Sequence, residues 1–272
     1  YHQELEREVD LDYCRGNGLM VIRRSQGGGA TYLNGDQLFY QVVANKRCEV
    51  IPMDVEGLFE KFLAVTVYVY RRLGLPAEYK AINDVVVRGR KISGNGAGSY
   101  GHDTSILVGN IILDLDYASM SRVLKIPSVK FRDKVAKSMM EWVTSIKRET
   151  GNRPSAGVVK ELLAEGYKEV LGINLEPAEP TIREWATWEG EVKPRHVSNE
   201  WLYMPEMRHK RLMRERAVKV AGDVKIVEVE YKAKKLIRVT AELVGGEVRD
   251  LMLSGDFFMM PEDGLPKLES AL

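Results

Sequence analysis

The sequence has few cysteines, little net charge and no long apolar run, and each shortage excludes a class of protein. Its 272 residues include two cysteines, Cys14 and Cys48, which make no disulfide framework and lie at no metal-ligand spacing. The formal net charge of +1 gives no field that would draw the whole molecule to nucleic acid or to a membrane surface. The longest apolar stretch, residues 62–70, is too short to span a bilayer. We therefore expect a cytoplasmic globular protein with no nucleic-acid and no membrane partner.

Three common nucleotide-binding motifs are also missing. No Gly-Lys-Ser or Gly-Lys-Thr occurs, which excludes a Walker A loop, and the absence of His-Arg-Asp and Asp-Phe-Gly excludes a protein-kinase site. Gly96, Gly98 and Gly101 satisfy G-x-G-x-x-G, but a β-branched, strand-like segment follows them. The dinucleotide fingerprint requires a helix at that point, so a Rossmann site is excluded.

The apolar pattern predicts an α/β chain of the α+β type. Strands are predicted at residues 19–22, 38–43, 84–87 and 105–115, and helices at residues 56–73, 129–147 and 155–172. The last third changes to three predicted strands, at residues 224–231, 236–243 and 247–254, followed by a short helix from Pro261. We therefore expect a catalytic domain in residues 1–205, with a mixed or antiparallel sheet flanked by helices. Residues 206–272 are expected to form a small α+β C-terminal domain.

Two arginines and three consecutive glycines lie at the end of the first predicted strand. Gly27, Gly28 and Gly29 lack a Cβ, so their backbone N–H groups can point together at an anion. Arg23 and Arg24 add charged, bidentate donors for phosphate or carboxylate. A tight turn beside two solvated arginines explains the same pattern equally well.

A second glycine-rich segment, residues 89–101, contains Lys91 and follows the pair Asn83-Asp84. A lysine suits a site where an oxygen gathers negative charge. Asp84 suits Mg²⁺ bound with nucleotide phosphates, or a hydrogen bond from a nucleotide. Each residue also has a simpler interpretation, because Asn83-Asp84 is typical of a turn before a strand and Lys91 of a solvated loop.

In combination the motifs resemble the lipoate–protein ligase family, whose fold group also contains octanoyltransferases and biotin–protein ligases. They are Arg23-Arg24-x-x-Gly27-Gly28-Gly29-Ala30, Asn83-Asp84 and Lys91-Ile92-Ser93-Gly94. In that family the first loop closes over the acyl adenylate, and the lysine contacts the lipoyl carbonyl and the phosphate oxygens. The resemblance implies that Lys91 is catalytic and that Asp84 is a candidate Mg²⁺ ligand. It further implies a binding site for nucleotide and lipoate formed by Arg23, Arg24, Gly27, Gly28, Gly29, Ala30, Tyr32, Asn83, Asp84, Ser93 and Gly94.

The resemblance continues in the last third. Residues 236–272 are similar to the accessory C-terminal domain of lipoate ligases, with Gly255-Asp256-Phe257-Phe258 as its signature. This likeness implies that the domain assists the adenylation step. A strand end that packs two phenylalanines accounts for the same four residues.

Three departures from the family pattern affect what the resemblance implies. Leu33-Asn34 replaces a His-Asp pair, and Val108-Gly109 replaces a His-Gly pair. Family members also carry a helix and a strand before the segment that residues 1–9 match, so we expect either that part of the N-terminal region is missing or that the acyl pocket is built differently. The change at Leu33-Asn34 keeps open a catalytically degenerate relative that binds lipoate without activating it.

The activity implied by the resemblance is a two-step, ATP-dependent ligation. Lipoate and ATP–Mg²⁺ would form lipoyl-AMP, and the lipoyl group would pass to a lysine of a lipoyl domain of a 2-oxoacid dehydrogenase complex or of the glycine-cleavage carrier protein. The enzyme is expected to act as a monomer. Tyr32 and strand 38–43 are candidates for the lipoyl-tail pocket, although core packing explains the strand as well. The alternative is an octanoyltransferase acting on lipoyl domains, but such enzymes place a cysteine nucleophile after the lysine motif, where this chain has none.

Overall fold

The computed structural model describes residues 2–25, 29–52, 54–101, 103–125, 139–204, 224–232, 235–257, 259 and 264–272. The chain divides into two compact units. Unit 1 comprises residues 1–31, 123–125 and 179–272, and unit 2 comprises residues 32–122 and 126–178. The first 31 residues thus group with the last third of the chain. The division into domains 1–205 and 206–272 does not express this grouping, and it remains a prediction.

The secondary structure alternates in unit 2 and ends with a β-meander in unit 1. The helices are α1 (Leu5–Glu8), α2 (Leu11–Gly16), α3 (Val55–Arg72), α4 (Tyr117–Val123), α5 (Ile146–Thr150), α6 (Ala156–Leu171), α7 (Ile182–Thr187), α8 (Lys193–Val197), α9 (Asn199–Leu202) and α10 (Gly264–Ala271), with a π-helix (Trp188–Val192) between α7 and α8. The strands are β1 (Gln37–Asn45), β2 (Ala77–Lys80), β3 (Asp84–Val87), β4 (Arg90–Gly94), β5 (Gly96–Tyr100), β6 (Thr104–Ile112), β7 (Val224–Lys232), β8 (Leu236–Val244) and β9 (Glu247–Gly255). None of the helices that the described ranges contain is long and apolar enough to cross a bilayer.

Unit 2 contains two three-stranded antiparallel sheets, with strand orders β1-β6-β5 and β2-β3-β4. Helix α3 supplies much of the core, because Phe59, Phe62 and Leu63 are almost completely buried. Helix α6 packs against α3 at Gly166, where a Cβ would lie 3.0 Å from Cγ1 of Val65. The close approach of the two helices therefore requires glycine at this position.

Unit 1 contains the third antiparallel sheet, β7-β8-β9, and the N-terminal helix α1 contacts it. The guanidinium of Arg238 on β8 is largely buried and lies 2.8 Å from Glu8 of α1 and 2.6 Å from Glu230 of β7. A buried cation paired with two carboxylates holds its neighbours firmly, since removal of one partner leaves a charge without compensation. These ion pairs attach the N-terminal segment to the C-terminal sheet.

The α+β fold with antiparallel sheets agrees with the prediction, but the predicted strand at residues 19–22 is wrong, because these residues form no strand. The glycine-rich segment 89–101 contains strands β4 and β5, so Lys91 lies on a strand and not in a solvated loop. Residues 182–202, for which no element was predicted, are mostly helical. Thr181 and Glu184 make a capping box at the start of α7, although no residue of α7 is buried.

The predicted helix 129–147 falls partly outside the described residues, which resume at residue 139. There a helical turn at residues 139–142 ends, and α5 begins only at Ile146. Val143 forms a parallel bridge with Lys91, and the N–H of Thr144 donates to the Lys91 carbonyl at 2.8 Å. Pairing with strand β4 thus interrupts the helix that the sequence pattern predicts.

Candidate active site

The β3–β4 hairpin carries the two predicted motifs, Asn83-Asp84 and Lys91. Arg88 and Gly89 form its turn with φ values of +49° and +76°, as a two-residue type I′ turn requires. The turn fixes the register of the two strands. The motifs are therefore brought together by local structure alone.

Lys91 and Asp84 form an ion pair on one side of this hairpin. Lys91 is in register with Val86, two residues after Asp84, and residues two apart on a strand face the same way. The Lys91 Nζ lies 2.5 Å from the Asp84 Oδ1, and the two side chains are 37% and 34% exposed. Within the described residues Asp84 Oδ1 makes no aligned hydrogen bond, so this contact is a charge–charge one. The ammonium is held in position and remains accessible to solvent.

Gly94 provides the space that the Lys91 side chain occupies. A Cβ at residue 94 would lie 3.2 Å from Cε and 3.5 Å from Nζ of Lys91, and 4.0 Å from Oδ1 of Asn110. The Gly94 N–H donates to that same Asn110 oxygen at 2.8 Å. Gly94 is thus flanked by a cation on one side and by an amide on the other.

Asn83 and Ser93 are held by one further amide, Asn95. The side-chain amide of Asn83 donates to the Asn95 carbonyl at 2.5 Å, and that of Asn95 donates to the Asn83 carbonyl at 2.9 Å. The hydroxyl of the fully buried Ser93 donates to Asn95 Oδ1 at 3.2 Å. These contacts fix the two ends of the hairpin relative to each other, and ligand binding by Asn83 and Ser93 remains a prediction.

A chain of side-chain amides links Gly94 to the segment that contains Tyr32. Asn110, which holds the Gly94 N–H, donates to Gln37 at 2.9 Å. Gln37 donates to the Asn34 side chain at 3.2 Å and to the Tyr32 carbonyl at 3.3 Å. Asn34, which belongs to the departing pair Leu33-Asn34, therefore accepts a hydrogen bond from Gln37 and helps to order the segment that contains Tyr32.

Glu149 of α5 holds the other side of strand β4. Its side chain is 2% exposed and accepts hydrogen bonds from Arg90, at 2.6 and 3.1 Å, from Thr144 Oγ1 at 2.6 Å and from Arg88 at 2.6 Å. Burial alone would raise the pKa of this carboxyl, but the hydrogen bonds from Thr144, Arg90 and Arg88 hold it below its usual value. Because Thr144 also bonds to the Lys91 carbonyl, Glu149 braces the strand that carries Lys91.

Sequence analysis did not identify Asn95, Asn110, Gln37 or Glu149. A recognisable signal existed for Asn110, because a side-chain amide in the middle of the apolar strand β6 needs partners. Glu149 lies in a charged stretch that looks solvated in the sequence. Only the contact of α5 with β4 shows that its carboxylate is buried.

The sheet β1-β6-β5 has an exposed, mainly apolar face next to Asn110 and Gly94. We call this side of the sheet the outward face. Its register places the following residues on one side: Phe39, Gln41, Val43, Gly96, Gly98, Tyr100, Ile106 and Val108. Phe39, Val43 and Tyr100 are 43%, 61% and 63% exposed. Asn110, the neighbour of Gly94, is paired with Phe39 and therefore lies on the same side. The other side of β1 is different, since Leu38 and Val42 pack against the hydrophobic core.

Gly109, the second residue of the departure Val108-Gly109, is explained by packing. It is paired across the sheet with Tyr40, and a Cβ would lie 2.4 Å from the Tyr40 ring and 2.5 Å from Asn95 Oδ1. The Tyr40 hydroxyl in turn lies 2.5 Å from the Thr66 hydroxyl. Any side chain at residue 109 would displace this half-buried tyrosine.

In unit 1, the two arginines before the glycine loop have different environments. Arg23 is buried, and its guanidinium donates to the carbonyls of Leu202, at 2.7 and 2.9 Å, and Gln3, at 2.8 Å. Arg24 Nη2 donates to the Gly29 carbonyl at 2.8 Å, which closes the loop, and burial lowers the pKa of its guanidinium. Gly27 and Gly28 lie outside the described residues, and Ala30 is half-buried. The predicted ligand contacts of these residues remain predictions.

The Gly255-Asp256-Phe257 signature lies beside this loop within unit 1. A Cβ at Gly29 would lie 3.9 Å from the Cβ of Asp256. Phe257 stacks on the His2 ring, with centroids 5.1 Å apart and an interplanar angle of 17°. Gly255 has φ of +144°, and a Cβ there would lie 2.0 Å from the Leu236 carbonyl oxygen. Packing thus explains Phe257 and Gly255, while Phe258 lies outside the described residues.

Cys14 does not have the environment of a nucleophile. Cys14 of α2 is buried, and burial, together with the charge of Asp10, raises the pKa of its thiol. A raised pKa keeps the thiol protonated, whereas the thiolate is the reactive form. Cys48 is exposed in the turn that follows β1.

Comparison with known proteins places these features in a family. The family model described as "Lipoyl protein ligase A/B catalytic domain" matches residues 1–168. Subunit 1 of lipoate–protein ligase A from Thermoplasma acidophilum is 31% identical over 210 residues, 74% of this chain and 78% of the relative. Octanoyltransferase LipM from Kyrpidia tusciae is 29% identical over 225 residues, 75% of this chain and 81% of the relative. Lipoate–protein ligase LplJ from Bacillus subtilis is 25% identical over 259 residues, 94% of this chain and 72% of the relative.

Solved structures give the same result. The bi-partite lipoate protein ligase of T. acidophilum, whose structure was described together with its E2 lipoyl domain, superposes with a TM-score of 0.68 at 31% identity, over 75% of this chain and 78% of that one. Lipoate–protein ligase A bound with ATP superposes with a TM-score of 0.64 at 26% identity, over 75% and 80%. The fold is therefore that of the enzymes that lipoylate or octanoylate proteins. The chain belongs to the lipoyl protein ligase A/B catalytic-domain family, which contains both ligases and octanoyltransferases.

Proposed function

We propose that this protein is an ATP-dependent lipoate–protein ligase. The observation that carries the proposal is the junction at Gly94, where the Lys91 ammonium, the Asn110 amide and the start of the outward face adjoin one another. An acid with a long apolar tail and a carboxyl head matches that arrangement, with its head at Lys91 and its tail along the sheet. Family membership makes lipoate the acid to be tested first.

The first proposed step is adenylation. A carboxylate oxygen of lipoate attacks the α-phosphorus of ATP, the bond from that phosphorus to the bridging oxygen breaks, and pyrophosphate leaves with the electron pair. Such a reaction depends on positioning and charge stabilisation more than on covalent help. Arg24 and the backbone amides of Gly27, Gly28 and Gly29 are assigned to the phosphates. Arg23, whose donors go to backbone carbonyls, is assigned to supporting that loop.

The second proposed step is transfer. The amine of an acceptor lysine attacks the carbonyl carbon of lipoyl-AMP, an amide forms, AMP leaves, and the attacking nitrogen loses a proton to solvent. Negative charge builds on the carbonyl oxygen in the transition state, and the Lys91 ammonium is assigned to that oxygen. Asp84 then orients the ammonium.

The tail of the acyl group is assigned to the outward face. Phe39 and Val43 supply exposed apolar surface on β1, and Ile106 and Val108 continue it on β6. The β5 residues paired with Val108 and Ile106 are Gly96 and Gly98, which place no side chain over this part of the sheet. Burial of apolar surface by the tail would supply affinity without demanding a particular tail chemistry.

Mg²⁺ fits this chain as an ion that arrives with ATP. Among the described residues no group of three His, Cys, Asp or Glu side chains is placed to hold a metal. Mg²⁺ in such enzymes is commonly held by one or two carboxylates together with substrate phosphates. Asp84 remains the predicted carboxylate, although its Oδ1 is engaged by Lys91, and the ion would supply charge neutralisation at the phosphates.

A second candidate function, octanoyl transfer, is favoured by the match to LipM. The cysteines weigh against it, because Cys14 is buried with a raised thiol pKa and neither cysteine follows Lys91. The extent of the matches also favours ligation. The match to the ligase LplJ covers 94% of the chain, so it must include part of residues 206–272, which make up a quarter of the chain. The match to LipM covers 75% of the chain.

The experiment is acyl transfer to an E2 lipoyl domain, chosen as acceptor because the T. acidophilum relative was described with one. The acceptor is incubated with this protein, lipoate and ATP–Mg²⁺, and its intact mass is measured. We expect a gain of one lipoyl group, no gain without ATP, and no gain when the acceptor lysine is replaced by arginine.

Three further arms separate the alternatives. Modification by octanoyl–acyl carrier protein without ATP, abolished in the double variant Cys14→Ala/Cys48→Ala, would establish a transferase. No pyrophosphate release from ATP and lipoate would indicate a relative that binds lipoate without activating it. Full ligase activity in the double variant is the result that the proposal requires.

A further inference from the structure

A reciprocal pair of hydrogen bonds joins the arginine segment of unit 1 to helix α9. The indole N–H of Trp201 donates to the Arg23 carbonyl at 2.9 Å, from 178 residues away in the sequence. The Arg23 guanidinium donates in return to the carbonyl of Leu202, the next residue after Trp201. We call this pair of contacts the Trp201 clamp.

Trp201 is itself firmly held. The hydroxyl of Ser198 caps α9 by accepting from the Trp201 backbone N–H at 3.2 Å. The Arg195 guanidinium lies over the indole at 4.8 Å from the ring centroid, close enough for a cation–π contact. The His196 ring adjoins the same indole, with centroids 5.3 Å apart. The donor of the clamp therefore has a defined position.

The clamp acts on the peptide group from which Arg24 departs. The Arg23 carbonyl and the Arg24 N–H belong to one planar unit, so fixing the carbonyl oxygen fixes the orientation of the whole plane. Arg24 then reaches Gly29 and closes the glycine loop. A rotation of this plane would move the Arg24 side chain away from its place beside the Gly29 carbonyl.

We propose that Trp201 is a positioning residue for the Arg24 side chain. The inference rests on the proposed function, in which Arg24 binds the phosphates of ATP during adenylation. Trp201 acts through the Arg23–Arg24 peptide and has no assigned contact with substrate. Its N–H group, more than its ring, carries the effect.

The matched variants are Trp201→Phe, which removes the N–H and keeps an aromatic ring, and Trp185→Phe, which makes the same change at an exposed position of α7. The assay is lipoate-dependent exchange of pyrophosphate into ATP. Loss of one such hydrogen bond lowers the ratio of well-positioned to displaced Arg24 by about fivefold. We expect a decrease in exchange of up to that size by Trp201→Phe and wild-type exchange by Trp185→Phe.

A double-mutant cycle with Arg24→Ala tests the route of the effect. If Trp201 acts through Arg24, Trp201→Phe causes no further loss in the Arg24→Ala background, because coupled residues are not additive. Fully additive losses would overturn the proposal. Replacement of Trp201 by benzothienylalanine, which keeps the shape of indole without its N–H, must reproduce the Trp201→Phe result, and wild-type exchange by this variant would also overturn it.

A measurement without substrate separates this inference from the proposed function. Trypsin cleaves after arginine, and cleavage after Arg23 or Arg24, identified by mass spectrometry, reports how often the clamp opens. We expect faster cleavage in Trp201→Phe than in the wild type or in Trp185→Phe, and the fold increase in cleavage multiplied by the fold decrease in exchange should be about five. If the wild-type chain exchanges no pyrophosphate, the proposed function fails. The trypsin rates then decide on the clamp, with equal rates in the three proteins refuting it.

Discussion

Replacement of Lys91 by alanine should abolish most of the transfer activity while the protein folds normally. The stability cost follows from exposure. The Lys91 and Asp84 side chains are each about one-third exposed, and an ion pair of that kind contributes at most about 1 kcal/mol to the free energy of unfolding. The catalytic cost is larger, since removal of one donor aimed at a developing oxyanion typically lowers the rate by about 10²–10³.

The assay is transfer from preformed lipoyl-AMP to an E2 lipoyl domain, followed by intact mass with time. Preformed adenylate isolates the step in which charge builds on the carbonyl oxygen. Thermal unfolding of the same samples measures the structural effect. Lys147→Ala is the matched control, because the Lys147 Nζ pairs with Asp114 at 2.6 Å in the same unit and, among the residues that the structure describes, forms no ion pair with Asp84 or another site residue.

Two results would refute the role of Lys91. Near wild-type transfer by Lys91→Ala, with its thermal unfolding unchanged, would show that the ammonium does not act on the reacting carbonyl. An equal loss of transfer in Lys147→Ala would show that any ion pair of unit 2 has the same effect. Lys91→Arg should give intermediate activity, since it keeps the charge but places a larger group against Gly94.

Three other predictions concern glycines and a buried carboxylate. Gly94→Ala should leave stability nearly unchanged but slow transfer measurably, because its Cβ displaces the end of the Lys91 side chain; unaltered transfer kinetics would contradict this. Gly255→Ala should destabilise the protein by more than about 2 kcal/mol in chemical denaturation, since its Cβ would lie 2.0 Å from a backbone carbonyl. Gly245→Ala, at φ of +63° with open space around it, should cost about 1 kcal/mol, and equal losses for the two variants would be inconsistent with the clash. Because the pKa of Glu149 is lowered in the folded protein, its ionised carboxylate stabilises the fold at pH values above its usual pKa of 4.5. This contribution is lost as the pH falls through the lowered pKa. Unfolding free energy should therefore fall on acidification below about pH 4.5, and Glu149→Gln should be less stable at neutral pH with a flatter acid limb, which urea titrations at several pH values will test.

Local patterns allowed much of the fold to be predicted. Strand β3 has the predicted boundaries, and helix α6 ends where Gly172 adopts the left-handed conformation. Both signals depend on short stretches of chain, as does the β7-β8-β9 meander with its hairpin at Gly245. The ion pair of Asp84 with Lys91 is equally local, because a single hairpin contains both residues.

Contacts between distant segments could not be predicted in the same way. The break in the helix before α5 follows from the pairing of Val143 with Lys91. The sequence around residue 143 contains no signal that predicts this pairing. The amide chain through Gln37 and Asn110 requires β1 and β6 to be neighbours, a fact of topology. Trp201 is a similar case, since an isolated tryptophan near a turn gives no sign that its N–H meets a carbonyl far back in the sequence.

The grouping of residues 1–31 with residues 179–272 has a consequence for biosynthesis. Residues 32–178 leave the ribosome after residues 1–31 and before residues 179–272. Their core can therefore assemble before residues 1–31 have their partners from the C-terminal part. The Arg23 guanidinium cannot donate to the Leu202 carbonyl until residue 202 has been translated. The contact of Arg23 with Leu202 therefore forms late in synthesis, and a chain that ends before residue 202 carries the Lys91 hairpin without this contact.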